Sequence, residues 1–182
     1  MIRYLTALVM FIAAYGCLLA ATMTDVMERL IPNRLVLAIV LSALVMRLSI
    51  SPSLVWVSLI ILAATAVLLG LLANRDLFGW GDVKLIAAVT LLFAPTAAVP
   101  LILAIAIAGG VLACCTLAAR WVLREVQPPA VPRHGLAAVF DRETARIRAH
   151  EPMPYAVAVL GGVVWQTVTE VMRCWPATSC WL

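Results

Sequence analysis

Two aspartates sit where an apolar chain ordinarily avoids charge: Asp25 at the end of the first apolar run, and Asp82 between the third and fourth. Asp82 lies in the segment Gly79-Trp80-Gly81-Asp82-Val83-Lys84. Its two glycines leave the backbone free to turn tightly and allow another chain to approach closely. Asp25 is followed, after five intervening residues, by Ile31-Pro32-Asn33. Two carboxyls near one membrane face, one of them behind a glycine turn, suit acid–base hydrolysis of a peptide bond. One carboxyl activates water as general base while the other protonates the carbonyl oxygen. Repulsion between like charges separates the two protonation steps, so both states are available. Those steps belong to the coupled pair, and neither aspartate is assigned as the acid.

Each aspartate also has an ordinary explanation. Asp82 would serve as a helix N-cap, accepting backbone N–H bonds and complementing the helix dipole. Asp25 would be a boundary acid, where charge costs far less than the roughly 2.5–3.5 kcal/mol at the bilayer centre. The glycine turn and the Ile-Pro-Asn tripeptide, taken with both acids together, favour the catalytic pair.

Positioning these residues falls to membrane helices. Of 182 residues, 65% are hydrophobic and 12% charged, with a mean hydropathy of +1.08. Soluble domains are about 25% charged. A span takes roughly 20 apolar residues, so the chain accommodates about six and no large soluble domain. The apolar runs are long and do not alternate, which excludes a barrel and leaves helices. The sequence therefore predicts an all-α membrane bundle, a single domain over residues 1–182.

The expected spans run over about residues 4–24, 32–46, 54–73, 83–93, 99–119 and 154–171. Residues 25–34 read as a loop or frayed helix end. Pro32 disfavours helical geometry at Ile31 and opens the second span. Arg47 to Ser53 reads as a turn, and the fourth span is short. The small pair Gly109-Gly110 would admit a close helix neighbour. A polar loop over about residues 120–151 contains a segment, 141–150, that reads as a surface helix. The N-terminus resembles a signal peptide in its Arg3 and apolar stretch, but is read as an uncleaved first span leading into Asp25.

Arginine and lysine set the orientation. Ten of them (Arg29, Arg34, Arg75, Lys84, Arg120, Arg124, Arg133, Arg142, Arg146 and Arg148) follow spans one, three and five, against Arg3, Arg47 and Arg173 on the other side. This bias places Asp25, Asp82 and the long loop in the cytoplasm, with both termini outside.

Other residues carry weaker signals. Cys114 and Cys115 read as small buried hydrophobes, and the five cysteines carry no metal spacing. Cys174 and Cys180 would pair if the C-terminal tail meets an oxidising compartment. The net charge of +4 forms no basic face for nucleic acid. Lys84 either tunes the acid pair or snorkels to headgroups. Asn33 either orients a carboxylate or caps the second helix. Asp76, His134 and His150 read as solvated residues, and the six tryptophans as interfacial anchors. The arginine-rich loop suits anionic lipid or a protein partner.

The combination of Asp25, Ile31-Pro32-Asn33 and Gly79-x-Gly81-Asp82-x-Lys84-Leu85 resembles the type IV prepilin peptidases, membrane aspartyl proteases of the GxGD type. Pro154-Tyr155-Ala156-Val157-Ala158 is similar to the Pro-Tyr motif opening their last helix, with Ala156 where glycine is common. The likeness is nearest to the short members serving tight-adherence (Flp) pili. Longer relatives carry paired CxxC motifs associated with pilin N-methylation; this chain has none, so methyl transfer is not expected. The resemblance implies catalysis by Asp25 and Asp82, supported by Gly79, Gly81, Lys84, Pro32 and Asn33, without metal or cofactor. It implies removal of a prepilin's basic leader at the cytoplasmic face of a bacterial inner membrane, and leaves open whether pilus assembly proteins take part. The competing readings are a cation-binding channel or transporter subunit, and an intramembrane protease of the presenilin type. Transporter carboxylates lie near the midplane, and the Ile-Pro-Asn motif and short length argue against presenilin. Gly81, next to the acid, is expected to set its approach with positive φ and to be more sensitive than Gly79.

Overall fold

The computed structural model describes residues 2–75, 79–122, 144–145 and 153–174. Six α-helices are delimited within them: α1 (Ile2–Glu28), α2 (Asn33–Ile50), α3 (Val55–Ala73), α4 (Trp80–Thr90), α5 (Ala98–Val122) and α6 (Tyr155–Cys174). Short 3-10 turns at Pro52–Leu54 and Pro95–Ala97 open the approaches to α3 and α5. All but α4 are long and apolar enough to cross a bilayer. The chain is an all-α, multi-pass membrane protein.

With 11 residues, α4 rises only about 16 Å, half of a hydrocarbon core about 30 Å thick. It is also the most enclosed helix: Val83 and every residue from Leu85 to Phe93 are buried. An apolar helix without a polar stripe belongs inside a bundle. Around it, α1 packs on α2, α5 on α6, and α3 on α4. Large side chains such as Leu8, Leu41, Ile60 and Ile107 point outward, as lipid-facing residues do.

The inward stripe of α1 is Ala7, Ala14, Leu18, Ala21, Thr22 and Asp25, residues spaced to share one helical face. Its polar end is the end that carries the acid. Small residues set the α5–α6 separation. A Cβ on Gly162 would lie 2.5 Å from Ile105 Cγ1 and 2.7 Å from that residue's Cα and N. Gly109 likewise receives the Tyr155 ring, whereas Gly110 has no neighbour within 4 Å of such a Cβ. Of the glycine pair, only Gly109 makes the expected close approach.

Three expected boundaries change. α1 does not stop at Asp25 but continues to Glu28, ending where Arg29 takes φ 56°. The Arg29 N–H bonds to the Asp25 carbonyl at 3.0 Å, the left-handed cap that glycine more often supplies. α2 starts one residue after Pro32 and passes through Arg47 to Ile50, because Arg47 is buried rather than in a turn. α4 begins at Trp80, so Gly81 and Asp82 lie within it. All of the expected surface helix at 141–150 except residues 144–145, the solvated Asp76, His134 and His150, and the pairing of Cys174 with Cys180 lie outside the described residues.

Candidate active site

Asp25 occupies the last turn of α1 and is only 6% exposed. That is the negative end of its own helix dipole, a poor place for a carboxylate. The first turn of α6 compensates. The Ala156 N–H donates to Asp25 Oδ2 at 3.1 Å, one of the unpaired donors that every helix N-terminus presents. Thr22, one turn earlier on α1, donates its hydroxyl to Leu18 O at 2.9 Å and to Ala156 O at 3.4 Å. The peptide groups flanking Ala156 are thus clasped by Thr22 and Asp25 from a single face of α1.

Asp82 lies in the first turn of α4, half-buried. The helix is capped by Gly79 (φ −73°, ψ 138°), not by Asp82 as the simpler sequence reading had it. The carboxyl of Asp82 instead reaches back to the Gly79 N–H, the return half of a capping box. A Cβ on Gly79 would come 3.0 Å from Asp82 Oδ2, so glycine there leaves room for the carboxylate. Gly81 does not have the positive φ expected of it; it is a helical residue whose Cβ would make ordinary contact, 3.5 Å, with Ile31.

The two acids come together from distant parts of the chain: Asp82 lies within electrostatic reach of Asp25, and Tyr155 within reach of Asp82. The Ile31-Pro32-Asn33 turn lies against the first turns of α4. Pro32 is the N-cap of α2, and Ile31 meets Gly81 on the first turn of α4. One turn further along α4, Lys84 Nζ donates to Asn33 Oδ1 at 3.3 Å. Asn33 is the first residue of α2, and the N-cap position is taken by Pro32 rather than by Asn33. Lys84 and Asn33 therefore hold each other, and with the Ile31–Gly81 contact they join α4 to the α1–α2 turn; Gly79 faces Asp82 and Pro32 caps α2.

Thr22, Tyr155 and the Ala156 amide also belong to the site, although only the Pro-Tyr motif drew attention to that region. Thr22 was legible only as a partner three residues before Asp25, and a backbone donor leaves no mark on residue type.

The model of the type IV leader peptidase family matches residues 12–114, more than half of the chain. The chain belongs to that family and is a peptidase. The matched stretch contains both aspartates, the Ile-Pro-Asn turn and the glycine segment. No curated protein and no solved structure matches the chain.

Proposed function

We propose that Asp25 and Asp82 form an aspartyl endopeptidase pair that removes the basic leader of a type IV prepilin of the Flp kind. What carries this reading is the meeting of two half-buried or buried carboxyls from α1 and α4, each oriented by a helix N-terminus, in a chain of a leader peptidase family. A proton shared between the two acids lets one draw a proton from water while the other protonates the scissile carbonyl. The Ala156 and Gly79 amides hold the carboxyls in place through this exchange.

The site stands at one end of the bundle, with the α1–α2 turn, the start of α4 and the start of α6. The arginine and lysine bias supports a cytoplasmic facing for that end, and the family supports a bacterial inner membrane as its setting. A substrate whose basic leader lies in the cytoplasm and whose apolar helix lies in the bilayer would present its scissile bond at this depth. Co-expression with a prepilin tests the proposal. Loss of the leader only when the peptidase is present is expected; an unprocessed prepilin beside an accumulated, folded peptidase contradicts it.

A further inference from the structure

α4 stops about half-way along the bundle, where helix ends leave carbonyls without the next helical turn. The Ala87, Ala88 and Val89 carbonyls accept from the Thr90 hydroxyl and the Leu91 and Leu92 N–H groups; the Leu91 carbonyl, just beyond them, needs another partner. Leu91, the residue that ends it, is fully buried, and its carbonyl accepts a hydrogen bond from Arg47 Nε at 3.0 Å. Arg47 lies in the last turn of α2 and is itself only 7% exposed. A cation in that position also complements the negative end of the α4 dipole. An ionisable residue inside a bundle usually has a function, and Arg47 lies at the end of the bundle away from the aspartates.

α2 and α4 run side by side in the same direction, tied near their starts by Asn33 and Lys84 and further along by Arg47 and Leu91. The rise from Asn33 to Arg47 is about 21 Å, and from Lys84 to Leu91 about 10 Å. The two side chains make up the difference, because both lean toward the N-termini of their helices. These two links leave α4 one axial position against α2.

We propose that Arg47 is a positioning residue for the peptidase site: its bond to the Leu91 carbonyl fixes how far α4 extends along the bundle, and with it the place of Asp82 relative to Asp25. The proposal rests on the reading of that pair as catalytic, but its test does not require cleavage. Cysteines at positions 31 and 81 report the seating of α4, since the Cβ of a residue at 81 falls 3.5 Å from Ile31 Cβ, within disulfide range. The five native cysteines are first replaced in the full-length chain.

Two substitutions of equal length then separate the hydrogen bond from the bulk. Arg47→Gln places an amide nitrogen where Nε stands, and Arg47→Met fills the same space without a donor. Cross-linking in membranes should persist with Arg47→Gln and fall at least about threefold with Arg47→Met, the scale of one lost hydrogen bond. With cysteines 31 and 81 restored to Ile and Gly, Arg47→Met should lower kcat about tenfold with little change in KM, and Arg47→Gln should recover most of that loss. Equal cross-linking in the two variants overturns the proposal. If Arg47→Met does not accumulate, Arg47→Asn replaces it, its amide falling about 1.5 Å short of the carbonyl; cross-linking equal to Arg47→Gln again overturns the proposal.

Discussion

Asp82 stands at the positive end of its own helix, whereas Asp25 stands at the negative end of its own and depends on an amide from α6. That difference makes Thr22 matter, because its hydroxyl holds the Ala156 carbonyl next to the amide that serves Asp25. Thr22→Val keeps the shape and removes the donor. It should cost about 1 kcal/mol of stability, read as a lower melting temperature in detergent, and should slow leader cleavage several-fold; Thr22→Ser should restore both. The geometry at the two glycines leads to a prediction opposite to the sequence-based expectation. Gly79→Ala would press a methyl to 3.0 Å from Asp82 Oδ2, while at Gly81 the methyl meets Ile31 at 3.5 Å and gains helix propensity of about 1 kcal/mol. We expect Gly79→Ala to lower the cleavage rate about tenfold, a displaced general acid–base group accounting for that scale. Gly81→Ala should remain near wild type, as measured in the same membrane assay. Both aspartates were legible in the sequence because charge stands out in an apolar chain. The conformation of the glycine segment was not, because Gly-x-Gly-Asp looks the same whether it forms a left-handed turn or the cap and first turn of a helix.

Between α5 and α6, two glycines do what bulkier residues cannot. Gly162 lies against the Ile105 backbone, and Gly109 under the Tyr155 ring, which leads into the turn that bonds Asp25. Gly162→Ala should therefore separate the helices and destabilise the bundle by about 1–3 kcal/mol, the usual cost of overpacking. Gly110→Ala, with open space around it, should be silent, and thermal unfolding of the two variants side by side decides this. Apolar runs revealed the existence of every delimited helix, and the shortness of α4 as well. Their ends were less legible at Asp25 and Arg47. A charged residue reads as a loop when its partners are unknown, yet the Ala156 amide and the Leu91 carbonyl let both remain helical and buried.

The bundle gathers at one end the α1–α2 turn and the starts of α4 and α6, and with them Arg29, Arg34 and Lys84. Arg3 and Arg173 lie toward the other end, while Arg47 is internal and not a loop charge. A reporter fused within residues 133–150 should read as cytoplasmic and one fused after Leu182 as external; a cytoplasmic C-terminus would reverse the orientation of the site. The overall class followed from composition and the apolar runs, whereas the convergence of Asp25 with Asp82 across 57 positions of sequence is a property of packing that no local pattern encodes. That pair is tested most directly by cleavage of a prepilin by Asp25→Asn and Asp82→Asn, each compared with the unmodified chain at equal membrane abundance. An amide keeps the size of the carboxyl but cannot exchange the shared proton, so each variant should lose at least about 100-fold in rate while still inserting and accumulating. Leader removal at the normal rate by either variant would contradict its place in the catalytic pair.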